Sequence, residues 1–243
     1  MQLKDRVCVV TGAASGIGHQ IALTYAKEGA RVCIVDVQKE KAEAAAAETG
    51  GKAYICNLRS VAEIEATMAA IQADHDRVDV LVNVAGLANR TPNESITEEE
   101  WDLLNDVNLK ATYFMAKEAY KIMLEQSSGR IINFSSHRAR ISDGRHTIYD
   151  VTKAGVEAIT RSFAVSGGPK GIYCNGIAPA YTLTPMTQHN LNNPEWMAHM
   201  CERIPIGRLL EMQELANTAL FLATATGING HTIYVDGGWT AHE

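Results

Sequence analysis

The chain has 243 residues, with 22 Lys+Arg against 28 Asp+Glu and therefore a formal net charge of −6. That acidic balance gives no support for bulk binding to nucleic acid or to an acidic membrane surface, and 46% hydrophobic with 21% charged residues reads as one globular domain, 1–243. The opening MQLKDRVCVVTG carries charges within its first six residues and reaches glycine after a short apolar run, so it reads as neither secretion signal nor membrane span, and a cytoplasmic location is expected.

The first predicted strand, Val7 to Val10, runs into Thr11-Gly12-Ala13-Ala14-Ser15-Gly16-Ile17-Gly18, with a helix starting at about Ile17. A turn that presses a pyrophosphate against backbone amides needs residues without a β-carbon, and the helix N-terminus adds partial positive charge. Gly12, Gly16 and Gly18 meet that need, although such a loop also occurs simply as a turn. The second strand, Val32 to Val35, ends in Asp36, 18 residues after Gly18, near the spacing of the acid that binds an adenosine ribose. A carboxylate there repels a 2′-phosphate, and Val37-Gln38 supply no cation, so NAD is favoured over NADP; alternatively Asp36 only caps the next helix.

Lys39 to Thr49, rich in Ala and Glu and stopped by Gly50-Gly51, predicts a helix. Further strands are expected at Ala53 to Cys56, Val78 to Val84, Arg130 to Phe134, Ile172 to Ile177 and Thr232 to Val235, each strand-long and nearly continuously apolar. Ser60 with Glu63 and Thr97 with Glu100 fit capping boxes at helix starts. The alternation predicts an α/β fold, a doubly wound parallel sheet with helices on both faces and ligands at the carboxyl ends of its strands. Cys8, Cys33, Cys56, Cys174 and Cys201 are odd in number, widely separated and without a CxxC pair, which suggests neither disulfides nor a metal site.

Asn108 lies in the helical stretch after Trp101, where its amide or the interrupted backbone could hold a water. Ser136 follows the fifth strand, and Tyr149 and Lys153 stand four apart in YDVTK, on one face of a helix. A nearby ammonium would favour the phenolate, though YxxxK alone also describes a solvated helix face. Around these residues run His137-Arg138-Ala139-Arg140 and Arg145-His146, with Arg90 upstream. A guanidinium in a partly dry pocket suits an anionic substrate, and His137 and Arg138 are the chosen substrate contacts; the other reading of the arginines is solvated or interface salt bridges.

With these motifs in order, the whole chain resembles the short-chain dehydrogenase/reductase family. The family's TGxxxGxG corresponds to Thr11 through Gly18, its NNAG to Asn83-Val84-Ala85-Gly86, and its Asn-Ser-Tyr-Lys tetrad to Asn108, Ser136, Tyr149 and Lys153. Its Pro-Gly segment corresponds to Pro179-Ala180 through Thr184, and YVDGG resembles its last strand. Asn57 for Asp, Val84 for Asn and Ala180 for Gly depart from the pattern without touching the tetrad.

The resemblance implies a seven-stranded Rossmann sheet, commonly in a homotetramer. It also implies an NAD(P)-dependent oxidoreductase, with Tyr149 as general acid/base, Ser136 holding the substrate oxygen, Lys153 on the nicotinamide ribose and Asn108 in a proton relay. Cofactor contacts would come from Gly12, Ser15, Gly16, Ile17, Gly18, Asp36, Asn57, Leu58, Asn83, Ala85, Gly86, Tyr149, Lys153, Pro179, Thr182, Leu183 and Thr184. Residues 185–208 resemble the family's substrate loop, polar through His189, Asn190, Asn192 and Asn193, with Met186, Trp196, Met197 and Met200 as an apolar lid. The resulting expectation is hydride transfer between NAD and a small polar or anionic polyol or sugar acid. The alternatives are a 3-oxoacyl-thioester reductase and a non-catalytic NAD-binding protein.

Overall fold

The short apolar runs do form strands; those at the centre, such as Val7–Thr11 and Val80–Asn83, are buried on both faces, and those at the edges only in part. In a computed structural model describing residues 1–185, 187 and 192–242, β1 (Val7–Thr11), β2 (Arg31–Asp36), β3 (Lys52–Ile55), β4 (Val80–Asn83), β5 (Gly129–Phe134), β6 (Ile172–Pro179) and β7 (Thr232–Val235) make one sheet. Its order is β3-β2-β1-β4-β5-β6-β7, and every pairing is parallel. Successive side chains point to opposite faces, so Val7 and Val9 enter one core while Cys8 and Val10 enter the other. The first core packs under α3 (Val61–His75), α5 (Ala111–Gln126) and α6 (Thr147–Gly167). The second packs under α1 (Gly16–Lys27), α2 (Lys39–Thr49) and the helix Met212–Thr224.

Helix α2 has the expected bounds, and Gly50 closes it with a left-handed φ of 64°. Ser60 and Thr97 each cap a helix as expected, accepting from the Glu63 and Glu100 amides. The reciprocal half of each capping box is missing. Glu63 turns instead to the Asn57 amide and Glu100 to Asn89 and Thr91. Four of the five cysteines are buried and Cys201 is partly so, all with free thiols.

Helix α4 (Glu98–Leu104) does not run directly into α5: Asn105–Lys110 form a π-helical turn with Asn108 at its centre. The expected mobile loop forms a helix over Pro194–Arg203, while its residues Met186, His189 and Asn190 lie outside the described residues. A third, smaller apolar cluster joins Met200 and Ile204 to Trp239, with Trp196 and Tyr181 packed against it. Among the described residues no helix is long and apolar enough to cross a membrane.

Candidate active site

The glycine turn, Asp36, the segment after Asn83, Ser136 and Pro179 lie at the carboxyl ends of β1, β2, β4, β5 and β6. Gly12 (φ 66°) and Gly16 (φ 60°) have backbone angles that L side chains rarely adopt. A Cβ on Gly12 would stand 2.9 Å from Ala85 Cα, and one on Gly18 2.4 Å from the Gly12 carbonyl oxygen. The glycines thus let the turn fold against itself and against the segment after β4. Thr11, which sequence reasoning did not single out, fastens the two: its hydroxyl oxygen accepts from the Val84 and Ala85 amides.

A cavity of about 510 Å³ runs along this turn, lined at one end by Asp36, Gln38, Asn57, Leu58 and Arg59 and at the other by Ala85, Gly86 and Thr184. Ser15, Gly16, Ile17 and Gly18 form its floor. The Ser15 hydroxyl makes no cap bond to the helix it starts, which leaves it and the first helical amides for a ligand. Asp36 accepts from the Ala14 and Gln38 amides, one bond per carboxylate oxygen, so it organises the glycine turn as well as facing the cavity. These features fit a dinucleotide: a cradle of backbone amides for phosphates and, on the wall of the same cavity, a carboxylate at the end of the second strand for a ribose. One expectation needs correction. A cation does stand on this wall, Arg59, contributed by the segment after β3 and paired at 3.4 Å with Asp106.

A second cavity of about 210 Å³ adjoins the first through Ile17, Val84, Gly86, Leu87 and Thr184. Ser136, His137, Arg138, His146, Tyr149, Lys153, Pro179, Tyr181 and Thr182 line it. The sheet carries Ser136 in on β5 and Pro179 on β6, which pair through Phe134 and Ile177, while α6 delivers Tyr149 and Lys153 one turn apart. Lys153 is buried, donates to the Phe134 carbonyl at 2.8 Å, and is pulled down to about 8 by burial. It therefore remains mainly an ammonium at neutral pH.

Burial pushes the Tyr149 phenol up, and the Ser136 hydrogen bond and the Arg138 guanidinium pull it partly back. Lys153 stands beside it, its ammonium 5.5 Å from the ring centroid and donating to the Phe134 carbonyl.

Asn108 is fully buried. Its side-chain amide donates to the Leu87 carbonyl and Thr152 Oγ1, and its oxygen accepts from the Leu87 amide. The amide is thereby committed to protein partners rather than to a water, and a relay would have to use the backbone carbonyl, which already accepts from Thr112. Of the other expected cofactor contacts, Asn83 is buried and donates to Asn133 Oδ1, and Leu183 is exposed, its amide pairing with the Leu210 carbonyl; neither is among the residues lining these two cavities.

The basic run separates in space. Arg90 and Arg145 are exposed, and Arg140 stacks its guanidinium 3.9 Å from the Tyr234 ring centroid. Among the described residues Arg138 alone of the arginines lines the second cavity, 8% exposed, with Nε donating to Asp150 Oδ1 at 2.9 Å and Nη2 to Asp143 Oδ1 at 2.5 Å. Nη2 also lies 2.8 Å from His146 Nδ1. Both ion-pair partners of this guanidinium are carboxylates of the protein itself, so it does not stand as a free cation awaiting an anion. Instead Arg138 ties the turn after Ser136 to the first turn of α6.

Burial works against ionised Asp143, but His146, the Arg145 amide and Arg138 outweigh it and hold the carboxyl well below the ordinary range. A depressed carboxyl adds stability that is present above its unfolded pKa and lost as pH falls through the folded one. We therefore expect Arg138→Ala to cost about 3 kcal/mol, the low end for a broken buried pair because Asp143 is 39% exposed. Urea denaturation should show that loss at pH 7 and a smaller one near pH 2; an equal loss at both would exclude the ion pair as its cause.

A family model described as "Enoyl-(Acyl carrier protein) reductase" matches residues 12–240. The D-threitol dehydrogenase of Mycolicibacterium smegmatis is 37% identical over 246 residues, covering 98% of this chain and 94% of that protein. The 3-oxoacyl-[acyl-carrier-protein] reductase of Thermotoga maritima is 34% identical over 245 residues, covering 98% and 99%. A gluconate 5-dehydrogenase from Burkholderia cenocepacia, solved with NADP and tartrate, superposes with a TM-score of 0.94 at 29% identity, covering 98% of this chain and 96% of that one.

Proposed function

The chain belongs to the short-chain dehydrogenase/reductase family, and from that premise we propose that it is an NAD-linked dehydrogenase for a secondary alcohol of a small polyol or sugar derivative. The observation that carries this reading is the meeting of Ser136, Tyr149 and Lys153 on the wall of one cavity that opens into the glycine-turn cavity. When bound, the nicotinamide dinucleotide would supply or accept the hydride. Tyr149 Oη takes the alcohol proton, or returns it in the reverse direction, at a site where Ser136 Oγ holds the same substrate oxygen. Lys153 Nζ, on the floor of the junction beside Gly86, offers its free donors to a ribose. The Asn108 carbonyl and Lys153 then form the start of a proton path.

NAD rather than NADP follows from Asp36, since its carboxylate is fixed by two amides and a 2′-phosphate would have to approach it. Substrate size follows from the cavity, which at about 210 Å³ falls below the range for drug-sized ligands. The paired state of Arg138 favours a neutral polyol over a sugar acid. Both readings accord with what the Mycolicibacterium relative is named for.

The relative from Thermotoga keeps a 3-oxoacyl-thioester reductase as the second reading, opposed here by Asp36 and the small cavity. A homotetramer is part of the proposal, supported by the exposed apolar side chains Tyr113, Val151 and Val165 on α5 and α6, and sedimentation equilibrium would test it.

The deciding experiment is an NADH-absorbance screen of purified protein with NAD or NADP across polyols, aldonic acids and simple secondary alcohols. Polyol turnover with NAD supports the proposal. Turnover of acids alone removes the neutral-substrate reading, and NADP-linked reduction of 3-oxoacyl thioesters without polyol activity replaces it with the second.

A further inference from the structure

Arg138 is fastened at its backbone and at its side chain to the two segments that carry the reacting groups. Its amide donates to Ser136 Oγ at 3.2 Å, in the tight turn His137–Ala139 that Ser136 caps. Its guanidinium donates to Asp150 Oδ1 at 2.9 Å, on the first turn of α6 and next in the chain to Tyr149. Nη2, on the other side, is held by Asp143 Oδ1 and by His146 Nδ1 at 2.8 Å. Asp150 Oδ2 is buried without a partner, so among the described residues this guanidinium is the one side chain that meets the Asp150 carboxylate. A buried carboxylate deprived of its partner must reach water or take up a proton, and either displaces the turn that holds Tyr149.

Proton transfer depends on that turn more steeply than binding does. Ser136 Oγ and Tyr149 Oη must meet one substrate oxygen, and a misplacement of about 1 Å can slow such a step about 100-fold. We propose that Arg138 is a positioning residue for the proton transfer, joining the Ser136 turn to the Tyr149 turn, so that losing its guanidinium slows the chemical step without weakening the binding of NAD or substrate. This rests on the dehydrogenase reading above and adds a residue that acts through Ser136 and Tyr149. Its charge reaches the phenol as well. The groups around Tyr149 are Ser136, His137 and Arg138 after β5, His146, Asp150 and Lys153 at the start of α6, and Tyr181 after β6. Burial raises the phenol most, Ser136 and Arg138 lower it, and Asp150 and Tyr181 raise it. Without the guanidinium the phenol therefore titrates at higher pH.

The test follows single-turnover NADH formation from 2,3-butanediol in the wild type, Arg138→Gln and Arg138→Lys, with Arg145→Gln as a control that removes a neighbouring exposed cation. Each rate is expressed per NAD-binding site, so that unfolded protein does not count. Arg138→Gln should be slower by about ten- to a hundredfold, with the Kd for NAD and half-saturation by the diol unchanged and the alkaline rise moved to higher pH. Arg138→Lys should recover part of the rate, and Arg145→Gln should match the wild type. A wild-type rate per site in Arg138→Gln would make Arg138 purely structural, and a loss confined to half-saturation would make it a binding residue; either result overturns the proposal. Should the wild type turn over no alcohol in the screen above, the dehydrogenase reading fails by itself. Carbon NMR of ζ-labelled tyrosine, with the Tyr149 signal assigned through Tyr149→Phe, then decides the inference. That signal must shift in Arg138→Gln and hold its position in Arg145→Gln, and an unmoved signal in Arg138→Gln refutes the positioning role.

Discussion

Replacing Tyr149 with phenylalanine is expected to lower kcat by about 10²- to 10⁴-fold, the contribution of a positioned general acid/base. The substitution removes one oxygen and keeps the ring beside Lys153, so NAD affinity and the thermal midpoint should change little. What is lost is the one group placed to carry the alcohol proton. Ser136 cannot replace it, because its oxygen already accepts from the Arg138 amide and faces the Pro179 carbonyl. A pH profile sharpens the test. Burial raises the free phenol, so activity in the oxidation direction should climb with pH on the alkaline side of neutrality. Activity in Tyr149→Phe within tenfold of wild type would mean that another group moves the proton.

The second large effect belongs to Asp36. Asp36→Ala strands the Ala14 and Gln38 amides, each of which donates to a charged acceptor, a class of bond worth about 1.5–3 kcal/mol. Because these amides shape the glycine turn, the Kd for NAD should rise about ten- to a hundredfold by titration calorimetry. Binding of NADP should suffer less, since the same change removes the repelling carboxylate and leaves Arg59 on that wall. The ratio of NAD to NADP affinity must therefore fall. A ratio that stays constant would reduce Asp36 to a purely structural residue.

The sheet was legible because burial on both faces forces runs such as Val7 to Val10 and Val32 to Val35 to be apolar throughout, a pattern independent of the rest of the chain. Single residues were harder, for identifiable reasons. Arg138 reads as a cation among cations, yet its partner Asp150 becomes a neighbour only when α6 folds back over β5, and Asp143 only through the turn between them. Arg59 was missed because the wall near Asp36 is completed by the next strand's loop rather than by the residues after Asp36. The π-helical turn at Asn108 has no local sequence signal; it accompanies the capture of that amide by Leu87 and Thr152, distant in the chain. A complete capping box joins Glu211 and Glu214, an E-x-x-E pattern outside the usual signature.

The strand order also governs how the polypeptide can assemble as it leaves the ribosome. β1 finds its first neighbour, β2, almost at once, but its other edge waits for β4, as Val7 waits for Asp79, 72 residues later. At about 5–20 residues per second that interval lasts several seconds, during which an unpaired, wholly apolar strand edge is open to other nascent chains. From β4 onward each strand docks on an edge already built, β5 then β6 then β7. The vulnerable stage in biosynthesis is thus early and brief. Lesions that delay β4 should reduce soluble yield far more than lesions of equal thermodynamic cost in β7, which joins last at the rim.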